Sequence, residues 1–177
     1  MILKLKRTPG IYVVGFMGAG KSTVGRHLAN RLGWNFFDSD VEIEQAEKTA
    51  ISKIFEERGE AEFRRLETNI IRQHVQWIES GRPAVLALGG GAFAQESNRV
   101  LVENNGITVW LDCAFARVQE RVAQSSHRPL ARDPQAFAAL YEARRADYRL
   151  ADIRVTIESD DPEVTVDAIL QHPAFVK

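Results

Sequence analysis

Five short runs rich in β-branched and aromatic residues recur along the chain, at 11–14, 35–38, 84–88, 107–111 and 153–157. Most are uninterrupted apolar stretches rather than alternating ones, the pattern of parallel strands covered on both faces. After each, apolar positions return at helical spacing, over 21–32, 41–47, 60–78, 97–104, 114–123, 134–150 and 163–171. Strand followed by helix, repeated, predicts a three-layer α/β/α fold on a five-stranded parallel sheet with right-handed crossovers. Two stretches break the alternation. From about 40 to 78 the chain spends more residues on helix than one crossover requires, and about 124–133 holds the polar, proline-broken loop Ser125-Ser126-His127-Arg128-Pro129. Both read as insertions over the carboxyl edge of the sheet, where open α/β folds bind ligands.

Composition narrows the class. A length of 177 residues, 45% apolar and 27% charged, suits one globular domain over 1–177. The net charge of −1 supplies no basic field for a duplex, so nucleic acid is not an expected partner. Cys113 stands alone, which excludes an internal disulfide and fits a reducing cytoplasm. No apolar run approaches the ~20 residues that span a bilayer. Lys4, Lys6 and Arg7 before the apolar stretch 11–17 imitate the start of a secretory signal, but that stretch runs directly into Gly18-Ala19-Gly20-Lys21 and reads as a strand.

Residues 15–22, GFMGAGKS, fit the phosphate-loop pattern G-x-x-x-x-G-K-[ST], with Thr23 following. Glycines at this spacing let the N–H groups around Gly18, Ala19 and Gly20 turn inward on phosphate oxygens, and the helix from Lys21 adds its N-terminal dipole. Lys21 would reach the β- and γ-phosphates and the Ser22 hydroxyl would sit on Mg²⁺. A glycine turn with a surface lysine is the bland alternative, and the strand before and helix after the motif argue against it. The chain lacks the Asn-Lys-x-Asp and Asp-x-x-Gly motifs of a GTPase switch, which leaves a small-molecule kinase as the leading class.

Asp38-Ser39-Asp40 closes the second strand and opens a helix. Ser39 with Glu42 makes a capping box, while Asp38 and Asp40 offer a metal-orienting carboxylate and a base for a substrate hydroxyl. On helix 134–150, Arg144 falls within the apolar stripe Phe137, Tyr141 and Tyr148, where an arginine needs a partner. That partner is either a structural carboxylate or one brought by a ligand. Arg64 lies beside the stripe Phe63, Leu66, Ile70 and Trp77, and Gly89-Gly90-Gly91 after the third strand permits close approach of a ligand to backbone.

With these segments in place, the chain resembles the shikimate kinase family along nearly its whole length. The segments are GFMGAGKSTVGRHLA, FFDSDVEIE, GEAEFRRLE, LALGGGAF, HRPL and LYEARRADY. The resemblance implies a P-loop kinase fold and transfer of the ATP γ-phosphoryl group to the 3-hydroxyl of shikimate, on the route to aromatic amino acids. It implies Asp40 as base, and Arg64 and Arg144 as a carboxylate clamp assisted by backbone at Gly89, Gly90 and Gly91. It further implies Phe63 as a wall of the ring site, Arg128 as a lid arginine, and Arg121 and Pro162 about the adenine. Mg²⁺ would be held by Ser22 and, through water, by Asp38. The region about 40–78 would bind shikimate, 124–133 would be the lid, and the enzyme would work as a monomer.

Three departures from the family pattern stand out. The late helix lacks its usual proline, so Arg145 competes with Arg144 as the clamp. The adenine-side loop Ser159-Asp160-Asp161-Pro162 is acidic where some relatives have an arginine, and Trp34 and Trp77 have no role beyond core packing. A gluconate-type sugar-acid kinase would share the phosphate loop and clamp but lack the G-E-x-E-F-R and G-G-G-A pair. A silent nucleotide-binding relative would have little reason to hold Lys21, Ser22, Asp38, Asp40 and Arg128 together.

Overall fold

The run GIYVV forms the middle strand of the molecule, β1 (Gly10–Val14), with every residue buried. The computed structural model, which describes residues 10–124 and 133–175, sets four further strands beside it. These are β2 (Asn35–Asp38), β3 (Ala84–Ala87), β4 (Gly106–Asp112) and β5 (Ile153–Thr156). All neighbours pair in parallel, in the order β2-β3-β1-β4-β5. β1, β3 and β4 are buried along their length, which accounts for their unbroken apolar sequences. The edge strand β5 differs: Ile153 and Val155 are buried while Arg154 and Thr156 are exposed, the alternation of a strand covered on one face.

The helices are α1 (Lys21–Leu32), α2 (Ser39–Glu47), α3 (Ile51–Glu79), α4 (Glu96–Glu103), α5 (Phe115–Ala123), α6 (Pro134–Tyr148) and α7 (Pro162–Leu170). α1 packs against α7, and α3 against α4. The main core runs through the sheet and takes in Tyr12, Leu28, Leu86, Phe93 and Leu111, with Trp34 and Trp77 partly buried against it. No helix among the described residues is long and apolar enough to cross a membrane.

Two expectations about the second crossover need correction. The helix expected from 60 begins at Ile51 and bends at Gly59, whose φ of 83° and ψ of 169° suit only glycine. The first segment escaped detection because Glu56, Glu57 and Arg58 interrupt its short apolar pattern, although Ile54 is fully buried. Ser39 and Glu42 do not form a capping box either. Asp38 is the cap, and one of its carboxylate oxygens accepts from the amides of Asp40 and Val41. α2 and α3 enclose a small core of their own, Ile43, Ile54 and Phe63.

The connections after β1 and β4 leave these neighbouring strands in opposite directions, one toward β2 and the other toward β5. That crevice at the carboxyl edge is where doubly wound sheets bind ligands.

Candidate functional site

The phosphate loop is built by left-handed glycines. Gly20 caps α1 at φ 92°, and Gly18 sits at φ 79°. A side chain at either would be strained. The cap of α1 is a glycine with no side chain of its own, which leaves the first turn of the helix facing the loop in backbone alone. Lys21 Nζ donates to the carbonyls of Gly15 at 2.8 Å and Phe16 at 3.0 Å, which folds the ammonium over the same loop. Thr23 lies exposed on the next position of α1.

Asp38 divides its carboxylate between two tasks. One oxygen caps α2, and the other accepts from the Ser22 hydroxyl, which ties the phosphate loop to the end of β2. A hydroxyl facing a carboxylate is a hard oxygen pair, chemically suited to a hydrated divalent cation beside phosphates. The donor chemistry of these two residues fits Mg²⁺.

Asp40 lies in the first turn of α2, just after its Asp38 cap. Burial raises its carboxyl above the usual range, and the Asp38 charge adds to this, while Lys21 and Arg64 oppose it. Across from it stand the glycines after β3. A methyl group at Gly89 would meet Asp40 Oδ1 at 2.5 Å and Glu67 Oε2 at 3.0 Å, and one at Gly91 would collide with the Arg64 guanidinium. Gly89 is thus required by close approach, whereas at Gly91 the Arg64 guanidinium would have to swing aside. The Gly89 amide donates to Ser39 Oγ at 3.0 Å, and the Tyr148 hydroxyl donates to the Gly90 carbonyl at 2.6 Å, which pins this strand end from both sides.

Arg64 donates to Glu67 Oε1 at 2.8 Å and lies 5.2 Å from the Phe63 ring. Phe63 itself is only 4% exposed, stacked on Phe55 at 4.7 Å. It supports Arg64 from inside the α2–α3 core. Glu67 is 1% exposed, and its Oε2 has no hydrogen-bond partner among the described residues. Burial pushes its carboxyl up to about 7 against the lowering effect of Arg64. Sequence reading missed Glu67, although its place four residues after Phe63 and four before Ile71 puts an acid on the buried stripe.

The adjacent arginines of α6 separate. Arg145 donates to Asp112 at 2.5 Å and to the Tyr141 hydroxyl at 3.1 Å, and lies against the Trp110 ring. Asp112 also accepts from Arg154 at 2.6 Å. Arg144 makes no hydrogen bond to a described residue and acts electrostatically on Glu67 and Tyr148. The structure therefore brings Arg144 toward the Arg64–Glu67 pair and engages Arg145 elsewhere.

At the other end of the loop, Arg121 donates to the Gly18 carbonyl at 2.8 Å, and Pro162 opens α7. Arg128 and the rest of 125–132 lie outside the described residues.

A phosphate loop after the central strand of this sheet, with a carboxylate and arginines converging beside it, defines a P-loop kinase for a small acceptor. The comparisons with known proteins narrow that class. The family model "Shikimate kinase" matches residues 17–173. A curated shikimate kinase of Ruegeria pomeroyi is 44% identical over 164 residues, covering 90% of this chain and 82% of the relative. A solved shikimate kinase from Acinetobacter baumannii, in complex with shikimate, is 38% identical with a TM-score of 0.85 over 92% of this chain and 91% of that one. The Aquifex aeolicus enzyme is 38% identical with a TM-score of 0.80, covering 91% and 94%. The chain belongs to the shikimate kinase family.

Proposed function

We infer that Asp40, Arg64 and Arg144 are the residues through which this kinase holds shikimate and accepts its proton. The observation that carries this reading is the convergence of Asp40, Glu67 and Arg64 on Gly89 and Gly91, beside the Asp38 carboxylate that binds Ser22 of the phosphate loop. Arg64 and Arg144 would fork the carboxylate, with the Gly90 backbone beside it. Glu67 holds Arg64 in place through Oε1. Asp40 accepts the proton of the 3-hydroxyl as that oxygen bonds to the γ-phosphorus and the bond from phosphorus to the bridging oxygen of ADP breaks.

Charge on the transferring group is met by Lys21, the amides at Gly18, Ala19 and Gly20, and Arg128 from the segment 124–133. Ser22 and, through water, Asp38 would hold Mg²⁺, which supplies charge neutralisation and phosphate orientation when bound. Arg121 and Pro162 flank the base of ATP. The region about 40–78, with its separate small core, is the shikimate-binding part, and the enzyme acts as a monomer in the cytoplasm.

An ADP-release assay with MgATP tests this, with shikimate, gluconate, quinate and AMP compared as acceptors. Turnover with shikimate alone is expected, and Asp40→Asn should abolish it while MgATP binding persists. Turnover with gluconate would move the chain to the sugar-acid kinases. Nucleotide binding without turnover on any acceptor would make it a binding module.

A further inference from the structure

The acidic loop between β5 and α7 departs from an arginine-bearing pattern, and its polar groups are each engaged. Asp161 caps α7, accepting from the Glu163 amide at 3.0 Å. Ser159 Oγ accepts from the Asp161 amide at 3.1 Å, and the Glu158 carbonyl accepts from Arg117 at 3.1 Å. Asp160 is the side chain that reaches across to α5. Its Oδ1 receives Arg117 Nη1 at 2.8 Å and Arg121 Nη2 at 3.3 Å, while Arg121 Nη1 reaches the Gly18 carbonyl at 2.8 Å. One carboxylate oxygen therefore joins three segments: the phosphate loop, α5, and the loop that presents Pro162.

We propose that Asp160 is a positioning residue for the nucleotide, holding the Arg121 guanidinium and the Pro162 loop at the spacing that admits a purine. This rests on the reading of Arg121 and Pro162 as the base site. The Arg121 guanidinium is planar and would stack on a base only if its plane is held. A single donor to Gly18 leaves rotation about that hydrogen bond. The second donor, to Asp160, removes it. Arg117, bound to the same oxygen and to the Glu158 carbonyl, keeps Asp160 from swinging into solvent, a needed restraint because its side chain is 85% exposed.

Electrostatics alone predicts the opposite sign for removal of Asp160. Deleting a negative charge beside an anionic nucleotide would tighten binding, whereas loss of positioning weakens it. The two accounts are separable by one measurement.

MgATP binding by calorimetry is compared for the wild-type protein, Asp160→Asn, Asp160→Ala and Asp160→Glu, alongside steady-state kinetics. The expected result is a Kd and KM for ATP raised about fivefold in D160N and D160A, equivalent to about 1 kcal/mol. D160E should recover most of the loss, and kcat and the shikimate KM should stay at wild-type values. Unchanged or tighter ATP binding in D160N overturns the proposal, as does a joint fall of kcat and shikimate affinity, which would mark a general structural effect. Wild-type protein that binds no MgATP would overturn the base-site reading and the proposal with it. Tight wild-type binding that D160N shares overturns the proposal alone.

Discussion

Glu67 joins stability to chemistry at the scale of a single side chain. Its carboxyl is raised to about 7 from an ordinary 4.5 because it is buried with an oxygen unpartnered among the described residues. Between those values the unfolded chain has released the proton while the folded protein retains it, so this group makes stability fall as pH rises and level off above about 7. Glu67→Gln cannot ionise. Its stability relative to wild type should therefore improve by up to about 3 kcal/mol between pH 4.5 and pH 8, read from urea unfolding at each pH. A constant offset at both pH values would mean that Glu67 ionises in the folded protein as it does in water. The residue escaped sequence reading because a glutamate in a helix is ordinarily solvated. Only its approach to Gly89, in the turn after β3, shows that this one is enclosed.

Among the elements, α3 carries Phe63, Arg64 and Glu67 on one helix, and its bend decides where those residues point. Gly59 has open space where a side chain would go, so Gly59→Ala meets no neighbour and tests backbone strain alone. Its φ and ψ belong to a region closed to alanine, at a cost of order 1–3 kcal/mol. The variant should lose about 2 kcal/mol in denaturant unfolding and raise the shikimate KM, because Phe63, Arg64 and Glu67 follow within about two turns. Wild-type stability and KM together would show that the bend is incidental. The second half of α3 was legible from the spacing of Phe63, Ile70 and Trp77. Its first half was not, since three charged residues fill a single turn and leave too few apolar positions to establish a period.

Across the whole molecule, α6 is anchored to the carboxyl end of β4 through Asp112, which stands 6% exposed between Arg145 and Arg154. Burial would raise this carboxyl, but hydrogen bonds from both arginines outweigh it and hold it below the usual range. Arg145→Ala leaves the buried charge with one partner and should cost about 2 kcal/mol of stability, with the shikimate KM near wild type. Arg144→Ala should do the reverse, raising that KM at least tenfold while unfolding shifts by less than about 0.5 kcal/mol. Equal effects of the two variants on KM would return Arg145 to the clamp. By itself the sequence determined the layered parallel fold, the phosphate loop and the family, because apolar runs, glycine spacing and short motifs are local features set within a few residues. The tertiary structure decided which of two neighbouring arginines is taken up by Asp112, which serine or aspartate caps α2, and that Glu67 and Asp160 join segments far apart in the chain. Those outcomes depend on burial and on partners from other elements, and a side chain's partners exist only once the sheet has brought them together.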